Sequence, residues 1–290
     1  MGLPAVQGCG PRISQPSRRC PIPGFEDAPH PDAFVFTARI GEGYLGEVFQ
    51  TTHDGKVYAL KRVMKTHLSS TQKRRLSCEV AMLRRLQGQA HVVQVHKTFQ
   101  THRACYISME FCLHDLWHLN YNTNFISSRK AFLYLTQLAD ALTTLQKFNI
   151  VHCDIKPENV LMGCDGQVCL CDFGFAEDHT ALQHRLADRY ERVGTLNYLA
   201  PEIKNKLLFS FPVDMWCLGI VYYELLKKHP PFTLEMVGTP CPTETTSQHI
   251  TDMTNLTPRD VTLLRNMLRL NPDMRVTPEQ LQRLLVKDDF

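Results

Sequence analysis

The sequence predicts an α+β protein built as two lobes, a small mainly β lobe with one helix and a larger mainly α lobe. Short β-branched and aromatic runs broken by turn residues fill positions 34–112, the mark of half-buried strands. From 113 to 290 apolar residues recur instead every three or four positions, the period of a helix face. With 290 residues and 43% hydrophobic content the chain can fill a large interior. Single cores stop growing at roughly 250–300 residues, so length alone allows one large domain or two moderate lobes.

Residues 1–33 carry seven prolines and four glycines with almost no apolar periodicity. Burial there cannot offset the entropy of ordering, so a flexible leader dispensable for both folding and chemistry is expected. Strands are expected around Phe34–Ile40, Val48-Phe49, Val57–Val63, Val92–Val95 and Tyr106–Met109, with Asp54-Gly55 as a turn. One helix over 71–87 interrupts them. Ser70-Thr71 are its expected caps, and Leu76, Val80, Leu83 and Leu86 form an apolar stripe at spacings of four and three. In the second lobe Phe132, Leu135, Leu138, Ala139, Leu142 and Leu145 mark a long helix. Further helices are expected over 214–228, 258–270 and 278–286, with short strands and loops over 150–174 and no clear period over 176–199.

Thirty-two Lys and Arg against 29 Asp and Glu leave a formal charge of +3, too even to advertise a nucleic-acid or anionic-membrane surface. The longest apolar stretch, Met215 to Leu226, is cut by Glu224 and ends in Lys227-Lys228, short of the roughly 18 apolar residues of a membrane span. Gly2 invites a lipid anchor, but Val6 stands where that pattern wants Ser or Thr. Eleven cysteines with no secretory segment before them fit a reducing interior. An intracellular protein, cytoplasmic or nuclear, is expected.

The chemistry-bearing residues fall into separate clusters. Gly41-Glu42-Gly43-Tyr44-Leu45-Gly46-Glu47-Val48 follows one strand, ending at Ile40, and leads into another; its glycines let backbone N–H groups approach phosphate oxygens. A dinucleotide fingerprint would need a helix at Val48, where a strand is expected. In the strand 58–63 the period of two places Ala59 and Lys61 on one face. Glu79, on the helix that follows, is the carboxylate able to hold that lysine against phosphates.

His152-Cys153-Asp154-Ile155-Lys156-Pro157-Glu158-Asn159, then Asp172-Phe173-Gly174, then Ala200-Pro201-Glu202, resemble the signature motifs of the eukaryotic protein kinases and stand in the same order. The resemblance runs from about Ile40 to Leu285. It implies the bilobal protein kinase fold, with the first lobe over 34–112 and the second over 113–290, and transfer of the ATP γ-phosphate to a protein hydroxyl. Asp154 would take or orient the hydroxyl proton, and Asn159 and Asp172 would hold Mg²⁺ against the ATP phosphates. Lys61 would hold the α and β phosphates, with Glu79 fixing it. The family's nucleotide site further implies Ile40 to Val48, Ala59, Met109 as gatekeeper, Glu110 and Cys112 as hinge, and Leu161 beneath the adenine. Lys156 two residues after Asp154, and the Gly194-Thr195-Leu196-Asn197-Tyr198 run with Thr195 bonded to Asp154 and Lys156, match the Ser/Thr members. Asp214, Trp216 and Gly219 resemble the central helix of the second lobe, and Arg275 the arginine that pairs with Glu202. The implied partner is a protein substrate, with the leader and the helix 71–87 as places for a regulatory partner.

One position departs. Cys153 stands where the family usually has the arginine that receives an activation-loop phosphate. This departure, with the Gly46-Glu47-Val48-Phe49 run, resembles the mitotic-inhibitor kinases acting on cyclin-dependent kinases, whose activation segments lack the Gly-Thr run. A pseudokinase or nucleotide-binding scaffold of the same fold is the other alternative, against which Lys61, Glu79, Asp154, Asn159 and Asp172 are all intact. Cys164, Cys169 and Cys171 contain no C-x-x-C pair and are expected to be small buried residues. His91, His96, His102, His114 and His118 are expected at the surface.

Overall fold

Strand signals in the first lobe resolve into one six-stranded sheet, described by a computed structural model over residues 21–28, 34–43, 45–66, 68–123, 126–182, 194–205, 207–231 and 253–287. The sheet holds β1 (Glu26–Asp27), β2 (Val35–Glu42), β3 (Glu47–His53), β4 (Lys56–Met64), β5 (Val95–Gln100) and β6 (Ala104–Glu110), in the order β1-β5-β6-β4-β3-β2. Asp54 and Gly55 both take positive φ, which the two-residue β3–β4 hairpin turn requires. Register sets Val48 opposite Lys61, and Ala59 between Gln50 and Met109.

α1 (Ser70–Arg85) starts one residue earlier than the sequence suggests. Its cap is Ser69, whose hydroxyl accepts from Gln72 N while Gln72 Oε1 accepts from Ser69 N. Gln72 stands three residues after Ser69, so Ser69 alone can complete that reciprocal box. The expected stripe Leu76, Val80, Leu83 and Leu86 is buried.

Two expectations are corrected. The strand anticipated at Val92–Val95 lies at Val95–Gln100 instead. Val92 and Val93 are buried in the core of the second lobe, where Val93 N donates to Leu170 O at 2.9 Å. The unpacked leader anticipated over 1–33 does not extend through residues 21–28. There β1 pairs in parallel with β5, and Ile22 and Phe25 are buried against α1 and the sheet. Two apolar residues flanking Pro23 and Gly24 show no period, so composition alone conceals the packing. Residues 1–20 and 29–33 lie outside the described part.

The second lobe opens with β7 (His114–Asp115), α2 (Leu116–Asn122) and α3 (Ser128–Lys147). β8 (Ile150–Val151), β9 (Val160–Met162), β10 (Val168–Leu170) and β11 (Glu177–Asp178) then form small sheets, β10-β9-β7 and β11-β8, that frame the loops between the lobes. Among the described residues α4 (His179–Leu182), α5 (Pro201–Lys204), α6 (Pro212–Lys227), α7 (Pro258–Met267) and α8 (Pro278–Lys287) follow. α6 begins at Pro212, whose fixed φ suits a first helical position. Its residues 213–225 are all buried, so it serves as the axis of this lobe. No helix among the described residues is long and apolar enough to cross a membrane.

Arg275 ties α5, α6 and the α7–α8 connection together. Its guanidinium makes a two-pronged pair with Glu202 at 2.7 and 3.1 Å and donates to the carbonyls of Pro212 and Arg269, with both charged groups buried. Removing one partner leaves the other as an uncompensated buried charge, a loss of roughly 3–5 kcal/mol. Arg275→Ala is therefore expected to lower unfolding stability by that amount in chemical denaturation, and a loss below about 1 kcal/mol would contradict it.

Candidate active site

Lys61, Glu79 and Asp172 meet between the lobes. β4 carries Lys61 inward, α1 carries Glu79, and Asp172 follows β10. Lys61 Nζ donates to Glu79 Oε1 at 2.6 Å and to Asp172 Oδ1 at 3.3 Å. Burial opposes the ammonium charge, but the two carboxylates outweigh it and hold Lys61 above its ordinary value. Lys61 in turn holds the Asp172 carboxyl below the usual carboxylate range. The stability from this depressed value is complete above the ordinary carboxylate pKa and is lost only as pH falls through the depressed one, so the pair is fully charged at neutral pH. Asp172 adopts a left-handed φ of 56°. A Cβ on Gly174 would stand 3.2 Å from Asp172 Oδ1, which explains the small residue there.

The loop between β8 and β9 is organised by a buried carboxylate at the start of α6. Asp214 accepts from His152 N at 2.7 Å and Cys153 N at 2.9 Å. Burial raises its pKa while these N–H groups and His152 pull it back. His152 Nε2 lies 3.0 Å from Cys171 O and its ring packs on Phe173, joining this loop to the Asp172 segment.

Asp154 is 3% exposed and sits in a closed polar ring. Its Oδ2 accepts from Asn159 Nδ2 at 3.0 Å and lies 3.1 Å from Lys156 Nζ; its Oδ1 accepts from Thr195 Oγ1 at 2.9 Å. Lys156 Nζ also donates to Thr195 Oγ1 at 2.8 Å. Gly194 brings Thr195 in at a positive φ of 70°, with a hypothetical Cβ only 2.7 Å from Cys153 O. Cys153, at φ 65° and 2% exposed, places a thiol in an apolar interior where the resemblance leads one to look for arginine.

Above the Lys61 site, β2 and β3 are joined by the glycine loop, closed by Gly43 N donating to Gly46 O at 2.7 Å. Gly46 is sterically required, since a Cβ would fall 2.1 Å from Arg62 O. Ile40 and Glu42 are exposed and Leu45 is partly buried against the apolar cluster between the sheet and α1. Tyr44 lies outside the described residues. The Glu42 and Glu47 side chains are held by guanidiniums, Glu42 by Arg39 and Glu47 by Arg62 at 2.7 Å. Only the backbone of these two positions is suited to an anionic ligand. Ala59 and Met109 are cross-strand partners on one side of the cleft, and Leu161 of β9 lies opposite Cys169 of β10 on the other. Glu110 N donates to Gln94 O at 3.0 Å, so Glu110 offers a ligand its carbonyl, and Cys112 follows at the hinge.

The Asn159 amide donates through Nδ2 both to Asp154 O and to Asp154 Oδ2, which leaves its Oδ1 as the group's acceptor. Together with the ionised Asp172 this makes an all-oxygen donor pair, the set a hard divalent cation takes when most of its other ligands are water and phosphate. The cysteines nearby supply no competing metal site. Cys169 and Cys171 are raised in pKa, Cys169 by its contact with Cys112 at 3.9 Å and Cys171 by burial. Cys164 is exposed, contrary to expectation, because it sits in the β9–β10 turn. Among the described residues no group of three or more His, Cys, Asp or Glu side chains is arranged to hold a metal ion. The His114 and His118 rings stack on each other at 4.8 Å.

A family model for the protein kinase domain matches residues 34–285. The chain belongs to the protein kinase family. Among curated proteins, the serine/threonine-protein kinase Sgk1 of Xenopus tropicalis is 34% identical over 211 residues, covering 70% of this chain and 50% of the relative. Sgk3 of Rattus norvegicus is 35% identical over 70% of this chain and 42% of its own length, and Sgk2 of Homo sapiens 32% over 70% and 55%. The chain thus spans about half the length of these relatives. The fold is the bilobal kinase fold, and the cleft lies where its two lobes meet.

Sequence reasoning found the residues of both charge clusters. It missed Gln94 beside the hinge and Gln100 and Thr98 beneath residues 21–28, because nothing in their spacing marks them.

Lys61→Met keeps chain length and deletes the buried charge. Loss of such a preorganised contact costs on the order of a hundredfold or more in rate. Phosphotransfer assays on the purified variant check this, and turnover within threefold of the parent would contradict it. Gly194→Ala should lower turnover at least tenfold, since the added methyl drives the Thr195 segment away from Cys153 O. Unchanged turnover would show that Thr195 does not need its observed place.

Proposed function

We propose that the chain is an ATP-dependent serine/threonine protein kinase using Mg²⁺. The observation that carries this reading is the closed ring of Asp154, Lys156, Asn159 and Thr195, which leaves one carboxylate positioned to orient a hydroxyl. Asp154 holds the acceptor proton as the oxygen approaches the γ-phosphate, and Lys156 sits beside it to offset the charge that develops. Thr195 and Asn159 fix the rotamers of both. Lys61, pinned by Glu79, takes the α and β phosphates, and the backbone of Gly41 to Gly46 covers them. Asn159 and Asp172 would supply oxygen ligands for Mg²⁺, which when bound would offset the negative charge of the phosphates. Val48, Ala59, Met109 and Leu161 form the apolar slot for the adenine, with Glu110 and Cys112 along its polar edge.

Serine and threonine are favoured over tyrosine by Lys156 and Thr195, and the relatives' names as serine/threonine kinases support the same choice. The complete set of charged ligands speaks against a scaffold that binds nucleotide without transferring phosphate. A protein substrate fits the Gly194–Tyr198 and Ala200–Glu202 segments, and an intracellular setting fits the free thiols and ATP. Asp154→Ala is expected to abolish phosphorylation of Ser/Thr peptides, with nucleotide binding by calorimetry within about threefold of the parent. A parent protein that fails to bind Mg-ATP, or that phosphorylates only tyrosine, would overturn the assignment.

Cys153 also bears on control. A phosphate in the segment after Asp172 orders it through new charge-assisted bonds, for which a buried thiol offers no partner. The described part of the segment already has an internal substitute. Asp178 pairs with Arg85 of α1 at 2.9 Å and accepts from Thr180, and Arg85 also donates to Phe148 O. Activity is therefore expected not to depend on phosphorylation here. Phosphatase-treated protein and a Thr180→Ala variant should keep most of the parent rate, as should Tyr190→Phe, whose position lies outside the described residues. A loss of tenfold or more, about 1.4 kcal/mol of barrier, would show phosphate-dependent ordering.

A further inference from the structure

Ile22 and Phe25 fill a pocket between the sheet and α1, walled by Val63 of β4, Leu76 and Val80 of α1, and Cys105 and Ile107 of β6. They are 2% and 9% exposed. Between them the chain passes so close to α1 that a Cβ on Gly24 would stand 3.2 Å from Val80 Cγ1, and Gly24 takes a positive φ of 91°.

Polar bonds fix the same segment from beneath. The Gln100 side chain, 1% exposed, accepts from Ile22 N at 3.1 Å and donates to Phe25 O at 3.2 Å. Thr98 Oγ1 donates to Gly24 O at 2.9 Å and accepts from Arg84 Nη2, at the far end of α1, at 2.7 Å. Ala28 N donates to Gln100 O at 2.8 Å, and β1 sets Glu26 and Asp27 beside Phe99 and Gln100. A buried glutamine and a buried threonine thus spend their side chains on the backbone of a segment 74 to 78 residues earlier. The docking is built, since without it the Gln100 amide and the Thr98 hydroxyl would lose the carbonyls they donate to, keeping only the bonds they accept from Lys65 at 2.7 Å and Arg84.

The consequence falls on Glu79. It precedes Val80 in the same helical turn, and its carboxylate is bonded to Lys61. What fixes Val80 and Leu76 fixes the distance from α1 to β4. We propose that residues 21–28 are a built-in brace that holds α1 where Glu79 reaches Lys61, making Ile22 and Phe25 positioning residues for phosphoryl transfer. The proposal rests on the kinase reading for its catalytic part. A segment with few apolar residues, anchored through one pocket and a handful of hydrogen bonds, is also releasable, so α1 can be loosened without unfolding the sheet.

The test uses the full chain carrying Ile22→Ser and Phe25→Ser together, beside the conservative pair Ile22→Val and Phe25→Leu. Three readouts are taken: kcat and KM with a Ser/Thr peptide, amide hydrogen exchange resolved along the chain, and rescue by a synthetic peptide of sequence 21–28. The serine pair should lose at least tenfold in kcat with peptide KM within about twofold. Exchange should quicken over 74–85 while 128–147 and 212–227 stay protected, millimolar peptide should restore part of the rate, and the conservative pair should resemble the parent. An unchanged kcat and unchanged exchange in the serine pair, with an active parent, overturns the brace and leaves the kinase reading standing. Exchange that quickens throughout both lobes also overturns it, since the segment would then serve general stability. A parent with no phosphotransfer defeats the functional reading instead, and the brace is then decided by exchange over 74–85, where no change refutes it.

Discussion

The ammonium of Lys61, held between Glu79 and Asp172, is the constraint on which the rest of the structure turns. Taking charges out of water costs several kcal/mol per ion, and the mutual attraction offsets this only when the geometry is good. Three separate pieces must therefore arrive together: β4 with its lysine, α1 with Glu79, and the turn after β10 with Asp172. Two belong to the small lobe and one to the large, so a single ion cluster registers the lobes against each other. The hydrophobic stripe of α1 and the register that pairs Lys61 with Val48 and Ile107 are what make that arrival repeatable.

The second charged group depends on backbone strain. Cys153 and Asp172 are both non-glycine residues at positive φ, a conformation that costs of order 1–3 kcal/mol where the surroundings impose it. Asp214 imposes it at Cys153 by accepting two successive N–H groups, and this turn aims Asp154 into its ring. The arrangement is kept by a buried carboxylate from α6, with the apolar thiol of Cys153 filling the space at the turn. Strain in one loop and burial in a distant helix thus produce one precisely placed carboxylate.

Much of this was legible in the residues and some was not. The stripe of α1 and the Asp54-Gly55 turn announce themselves by period and turn chemistry, and Asp154, Asn159 and Asp172 by the resemblance of their motifs to those of the protein kinases. The helix cap lies at Ser69 and not at Ser70 or Thr71 because the reciprocal bond with Gln72 outweighs simple residue preference. Val92 and Val93 read as a strand but serve as core of the other lobe, since an apolar run records burial and not the element that provides it. Residues 21–28 were illegible because their partners, Thr98 and Gln100, are long-range and polar. The proline-rich composition that suggests an unpacked chain is compatible with docking when another element supplies the hydrogen bonds.

The most direct test of the ion cluster is steady-state phosphotransfer by Glu79→Gln. This substitution preserves shape and removes only the charge that fixes Lys61. A fall of at least tenfold in kcat/KM for ATP, about 1.4 kcal/mol of barrier, with an unchanged circular dichroism spectrum is the expected result. Turnover equal to that of the parent would contradict the central role of the Glu79–Lys61–Asp172 cluster.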